Sequence, residues 1–290
     1  MTALQLAADG LALGAAYALV AAGFVLTLNA SRAVNFAHGD TVMAGGFLAV
    51  ALAGSMPVPG ILLLPLVLAL MAIFGAALAC VAYFPLRGRP AVSVFVSTIA
   101  AGIVLQSAAT AWFGAAPRAG PSLLGGGMVD LALAKLPRQA VATIAAAGAV
   151  YLGVHLLLAR TQLGRRLRAA AQDPGMAEAL GIPVAAMTAL SFALAAALAG
   201  AAGLLLSNSF FVTPAEGANF MLKAYIAAVI GGWGRLHGAA LGALMIGVFE
   251  TAVATMASQV LAEALLYAAL LAILLFRPSG LFGEAAGSRA

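Results

Sequence analysis

The sequence predicts an all-α fold, a polytopic bundle of about eight or nine membrane-spanning helices, and three observations carry that prediction. Hydrophobic residues fill 64% of the 290 positions and charged residues only 8%, with a mean hydropathy of +1.10, whereas about a quarter of a soluble globular chain is charged. Charge-free runs are long, at Gly10–Ser31, Thr41–Leu86, Pro90–Pro117, Gln139–Ala159 and Ala179–Ala215. About 20 apolar residues make one span, so the 46 residues of Thr41–Leu86 make two. The third observation is 33 glycines among abundant alanine, which predicts helices packed closely through small residues.

Apolar runs and their breaks place spans near 8–28, 36–54, 60–84, 91–113, 139–158, 186–206, 220–232, 238–256 and 258–276. The first has no positive residues before it and carries Asp9, so it reads as a retained span rather than a cleaved signal. The second begins with polar residues. Ser55-Met-Pro-Val-Pro-Gly60 supplies a turn between the second and third. Gly114–Arg138, rich in Pro and Gly, reads as the longest external loop, either a docking surface or a linker. The segment 220–232 is too short to cross comfortably and reads as a full span or as a half-helix that dips in and returns. The whole of 1–290 reads as one transmembrane domain, with a cytoplasmic loop at 160–183 and the external loop at 114–138.

Basic residues set the sides. One orientation gathers Arg32, Arg87, Arg89, Arg160, Arg165, Arg166, Arg168, Arg235, Arg277 and Arg289 in the cytoplasm and leaves Arg118, Lys135, Arg138 and Lys223 outside. That split predicts an external N-terminus and a cytoplasmic C-terminus. In this setting the net charge of +5 marks a membrane face and no nucleic-acid partner. The single cysteine, Cys80, has no internal disulfide partner.

The most informative polar stretch is Arg160–Pro183. Asp173 is placed to cap a helix, Pro174 suits its first position and Gly181 its stop, which predicts two turns over Pro174–Leu180. So short a helix is marginal alone, which points to a partner packed on it; a merely solvated loop is the other reading. Met176, Ala177 and Leu180 would form a small apolar face, with Arg165, Arg168, Gln172, Asp173 and Glu178 as polar neighbours. The arginines would equally serve topology and attraction to anionic lipid.

A second polar interruption, Asn29-Ala-Ser-Arg-Ala-Val-Asn-Phe-Ala-His-Gly-Asp40, separates the first two spans. Its Asn35-Phe-Ala-His-Gly-Asp40 resembles the signature of permease subunits from branched-chain amino acid ABC importers. Further blocks agree in order: Ala171-Gln-Asp173 with Met176-Ala177 and Leu180-Gly-Ile182, then Leu222-Lys-Ala224, Ala228-Val-Ile-Gly-Gly232 and Gly238-Ala239, and finally Phe276-Arg-Pro-Ser-Gly-Leu281. The resemblance runs from Gly10 to Gly283. It implies an inner-membrane subunit that pairs with a second permease, two cytoplasmic ATP-binding subunits and an external substrate-binding protein. It also implies that Gly181 closes a loop coupled to the ATPase, while Glu178 matches the importer pattern less well.

His38 and Asp40 read either as a fixed polar pair near the cytoplasmic mouth that holds the second span to a neighbour or as substrate contacts, and Asn35 stands with them as a residue of the path or of polar contacts in the bundle. Asn208, Ser209 and Asn219 lie near the outer face, where they would meet arriving ligand or merely end helices. A mid-membrane carboxylate costs roughly 2.5–3.5 kcal/mol on insertion scales, so Glu250 should face the bundle interior or protonate, as a residue of the transport path or as a protonated partner in an interhelical hydrogen bond. Glu263 lies near the outer end of the next span. Asn35-Phe36 before Gly45-Gly46 faintly echoes Asn219-Phe220 before Gly231-Gly232. His155 and His237 stand far apart in sequence, without metal-ligand spacing. No nucleophile beside a base, nucleotide fingerprint or paired catalytic carboxylates appear, so the chain reads as a non-enzyme without cofactor or metal.

Three functions remain open on the residues. The first is a permease subunit driven by a partner ATPase and carrying branched-chain or related amino acids, urea or short amides. The second is an ion-coupled transporter using Glu250 and Glu263, and the third a passive channel.

Overall fold

The computed structural model describes residues 3–56, 58–131 and 134–276. The C-terminal block from Arg277 onward, with Arg277 and Arg289, lies outside the described residues. Three long helices open the chain: α1 (Ala3–Ser31), α2 (Ala37–Ser55) and α3 (Gly60–Leu78), which is prolonged by a π-turn at Ala79–Tyr83 and a 3-10 turn at Phe84–Leu86. After α4 (Ala91–Phe113), the strands β1 (Met128–Leu131) and β2 (Ala134–Pro137) pair antiparallel, with Met128 opposite Pro137. The 114–138 connection thus contains a short hairpin that the sequence does not reveal: Met128-Val-Asp-Leu131 and Ala134-Lys-Leu-Pro137 are too short for a strand pattern to register in so apolar a sequence.

The second half comprises α5 (Arg138–Arg160), α6 (Gln162–Gln172), α7 (Pro174–Ala179), α8 (Val184–Leu206), α9 (Gly217–Gly231), α10 (Leu236–Met256) and α11 (Gln259–Phe276). Among the described residues, seven helices are long and apolar enough to cross a membrane: α1, α3 with its prolongation, α4, α5, α8, α10 and α11. The expected spans at 36–54 and 220–232 correspond to α2 and α9, which lie outside that set of seven.

Contacts sort the connections into two ends. Asn29 donates to the carbonyl of Gly234 at 2.9 Å, Arg32 to that of Gln172 at 2.9 Å, and Arg87 reaches Glu178, so one end holds α6, α7 and the 232–235 turn. At the other end Gly60 N–H donates to Ser122, Gly120 N–H to Ser207, and Arg118 pairs with Val212.

The centre of the bundle is α1 with α8, and each has 83% of its apolar window buried, against 17% for α4 and 11% for α11. α4 and α11 therefore present most of their apolar side chains outward, to lipid or to another subunit. Around α1 and α8 the glycines act as predicted. A methyl on Gly14 would lie 2.8 Å from the Leu244 backbone of α10, and one on Gly231 would strike the Gly238 carbonyl. Backbone approach this close leaves room for no other residue.

α2 and α9 depart from simple spans. His38, at the start of α2, bonds to the carbonyl of Val20, and Val20 lies about 16 Å along α1 from its end at Ser31 at 1.5 Å per residue. Residues 32–36 thus fold back into the bundle before α2 begins. α9 also starts inside: Gly217 is buried, and no Cβ would fit at Gly39 because the Gly217 carbonyl occupies that place. The non-helical stretch after α8 covers the rest of that crossing. This is why 220–232 looks too short, and it ends at the opposite side of the bundle rather than returning.

Candidate functional site

The α7 end is built from the residues that the sequence singled out. Asp173 Oδ1 accepts the Met176 N–H at 3.0 Å, Pro174 occupies the first turn, and Gly181 takes φ +76°. A capped six-residue helix results, followed by the turn into α8. The preceding α6 was not foreseen; Thr161 caps it through the Gly164 N–H at 3.0 Å, and Gly164, Leu167 and Ala170 form its buried face. Leu167, Ala170, Ala177, Val184 and Met187 share one small apolar core. α6, α7 and the start of α8 therefore pack together.

Met176 and Leu180 are 59% and 72% exposed, as an outward apolar face requires, but Ala177 is only 2% exposed. The expectation for Ala177 is corrected: its methyl is the helix's anchor to Leu167 and Val184 rather than part of the face. Arg165 and the Gln172 side chain are exposed, whereas Arg168 folds back on the Leu158 carbonyl. Arg87 pairs with Glu178 at 3.0 Å, an exposed bridge between the end of α3 and α7.

The second cluster surrounds the start of α2. Asn35 is 3%, His38 1% and Asp40 6% exposed. Asn35 Oδ1 accepts the Ala37 N–H at 3.2 Å, and the Asn35 carbonyl accepts the His38 N–H at 3.2 Å, which closes the turn into the helix. His38 then fastens to α1 through Val20 at 2.9 Å, while Asp40 accepts from Gln106 of α4 at 2.8 Å. His38 and Asp40 thus hold α2 to two different neighbours.

The third cluster was only half visible. Glu250 is 1% exposed and faces the interior, as its insertion cost demands. Its Oε1 accepts from Lys223 at 2.7 Å and from Gln259 at 2.7 Å, and Lys223 also donates to Tyr17 at 2.8 Å. Four helices, α1, α9, α10 and α11, meet on this one oxygen. Lys223 is therefore not an external marker, which corrects its placement by charge counting. Counting treats every lysine as a solvated end residue, whereas this one is 6% exposed and neutralised by its partner. Glu250 Oε2 has no hydrogen-bond partner among the described residues.

The remaining sites fall at the end opposite α7 and near α6. Asn208 donates to the Gly120 carbonyl at 3.3 Å and so ties the turn after α8 to the 114–138 connection, while Asn219 donates to Glu216 at 3.1 Å within the start of α9. His155 and His237 are corrected from isolated residues to neighbours, with ring centroids 4.8 Å apart and Tyr151 bonded to His237 at 3.0 Å. Side chains of α5 and α10 meet there, which sequence distance conceals. Among the described residues, no group of three or more metal-ligating side chains forms.

Comparison with known proteins agrees with this architecture. The family described as branched-chain amino acid transport system / permease component matches residues 6–274. The high-affinity branched-chain amino acid transport system permease protein BraD of Pseudomonas aeruginosa is 33% identical, over 97% of this chain and 96% of its own. LivH of Escherichia coli K12, bearing the same description, is 31% identical over 97% and 96%. A probable branched-chain amino acid transport permease protein, LivH of Methanocaldococcus jannaschii, is 28% identical over 80% and 75%. No solved structure matches.

Proposed function

The chain belongs to the branched-chain amino acid transport system permease family, and from that premise we propose that it is the subunit that carries branched-chain amino acids through the membrane of an ATP-driven importer. One observation carries the reading beyond the family: the capped helix α7 presents Met176 and Leu180 outward. Exposed apolar side chains on a helix too short to stand alone suit a surface that another protein covers.

In this reading the α7 end faces the cytoplasm, with the N-terminus outside and the C-terminus inside. One of two ATP-binding subunits grips α6 and α7 there, with contacts from Arg165, Gln172, Met176, Glu178 and Leu180. Asp173 and Gly181 fix the shape of the grip, and Arg168 braces α6 against α5. A second permease covers part of the outward apolar helices, and an external binding protein delivers substrate to the opposite end. The force path is continuous: α7 packs on α6 and on the first turn of α8, and α8 lies in the middle of the bundle. Arg32 and Arg87 tie the same loop to the ends of α1 and α3. Closure of the ATPases would then move helix ends as one body, opening the path first outward and then inward.

The ion-coupled alternative loses its support at Glu250, because a carboxylate ion-paired with Lys223 at 2.7 Å and hydrogen-bonded by the Gln259 amide at 2.7 Å is not a free carrier of protons or cations. Within the family reading, urea and short amides remain the competing cargo. Reconstituted with its partner subunits in proteoliposomes, the complex should accumulate leucine, isoleucine or valine only when ATP is supplied on the α7 side. Accumulation without ATPase subunits would overturn the assignment, and ATP-driven uptake of urea but not leucine would overturn the cargo.

A further inference from the structure

At the end opposite α7, a cavity of about 290 Å³ opens between α1, α5, α8 and α10, lined by Asp9, Leu13, Gln139, Thr143, Leu205 and Asn208 among others. Its size is near the lower bound for small-molecule pockets, roughly 300 Å³. Two polar groups in it stand unanswered. Gln139 is oriented by the Leu123 N–H, which donates to its Oε1 at 2.9 Å. That bond fixes the other end as the amide nitrogen, and Nε2 is buried with no partner among the described residues. Leaving a buried donor unmade is costly, of the order of 1–3 kcal/mol. Asp9, partly buried six residues from the start of α1, meets neither a cation nor a hydrogen-bond donor among the described residues.

We infer that this cavity binds a zwitterionic α-amino acid, its ammonium group on the Asp9 carboxylate and its carboxylate on the Gln139 amide, with an aliphatic side chain against Leu13 and Leu205. The inference rests on the reading of the chain as an amino-acid permease and adds to it a place where the permease itself holds cargo. The chemistry is selective. A simple cation would satisfy Asp9 and leave the Gln139 N–H unmade, and a simple anion would be repelled by Asp9. A molecule carrying both charges on neighbouring carbons answers both groups at once. Thr143, 5% exposed, and Asn208 bring further polar atoms to the same wall.

The test is saturation-transfer NMR on the assembled transporter in nanodiscs without its binding protein, with empty nanodiscs as background. Leucine, 4-methylpentanoate, which lacks the amine, and isoamylamine, which lacks the carboxylate, are titrated separately. Leucine should saturate, and each truncated analogue should bind about tenfold to a hundredfold more weakly, the loss of one charge-assisted hydrogen bond. Asp9→Asn and Gln139→Leu should weaken leucine by a similar factor. Leucine signal no greater than on empty nanodiscs, equal binding of the three compounds, or variants within twofold of the parent would each overturn the site. The analogue series needs no variant, so a misfolded substitution cannot obscure the answer. ATP-driven leucine uptake by the complete system is measured in parallel. Uptake with no such binding discards the cavity and leaves the function standing, whereas a system that moves no amino acid discards the function first.

Discussion

Lys223 Nζ lies 2.7 Å from Glu250 Oε1 in the interior of the bundle, and the two side chains are 8% and 1% exposed. The pair joins α9, whose crossing is only partly helical, to the full-length α10. A buried ion pair need not out-stabilise apolar residues of the same shape, but removal of one partner leaves a charge that nothing answers.

Lys223→Met and Glu250→Gln should each destabilise the folded permease strongly, by about 3–5 kcal/mol for a truncation that strands a buried charge. The double variant should recover much of that loss. Thermal unfolding of the four proteins in detergent, read as a double-mutant cycle, checks the coupling. Additive losses would show that the two groups do not act as a pair.

Gly181 holds φ +76° after α7, a conformation that costs side-chain-bearing residues roughly 1–2 kcal/mol. No atom would obstruct a side chain there, so Gly181→Val should insert and assemble while bending α7 out of position. The expected result is normal membrane yield with ATPase stimulation reduced severalfold. Full stimulation in a well-inserted variant would count against α7 as the grip.

Leu180→Asp should impair ATPase association more than Glu178→Ala. Leu180 is 72% exposed and has its apolar surface to offer, whereas the Arg87–Glu178 bridge is itself open to solvent and such bridges contribute about 0–1 kcal/mol. Co-purification of the ATPase subunits with each variant ranks them, and the reverse ranking would place the contact on the charges.

Gly231→Leu should fail to give a monodisperse protein, because its side chain would enter the Gly238 carbonyl across the α9–α10 turn. Overpacking by even a few methylenes costs about 1–3 kcal/mol where the neighbour can yield, and here the neighbour is backbone. Size-exclusion chromatography after extraction reports it directly; a symmetric peak at parental yield would refute the close approach.

A cysteine at Gln172, in a Cys80→Ser background, should react with a membrane-impermeant maleimide only from the cytoplasmic side. Labelling in intact cells would reverse the orientation on which the coupling scheme rests.

Much of the fold was legible because membrane insertion writes itself locally. Charge-free runs and their breaks outlined α3, α4, α5 and α8 nearly to their ends, and Asp173-Pro174 with Gly181 gave α7 to within one residue. The interior of Glu250 was legible from desolvation alone, since a carboxylate in so apolar a run has nowhere else to go. What stayed hidden depends on residues distant in the chain. Lys223 and Glu250 are brought together by the α9–α10 turn, and His155 and His237 meet as side chains of two helices that are not neighbours in sequence. Ala177 was misread for a different reason: a methyl is small enough to suit either face of a short helix, and only its contact with Leu167 and Val184 decides. The cavity at Asp9 and Gln139 needed four helices in place before two ordinary polar residues could be seen to face the same space.

The bare-backbone seam between Gly14 of α1 and the Leu244 region of α10 sets how any stroke must travel. At that seam the backbones lie too close for a side chain on Gly14 to intervene, so α1 and α10 are expected to shift together. In the coupling scheme proposed above, a push arriving under α8 would then carry α1 and α10 along as one piece.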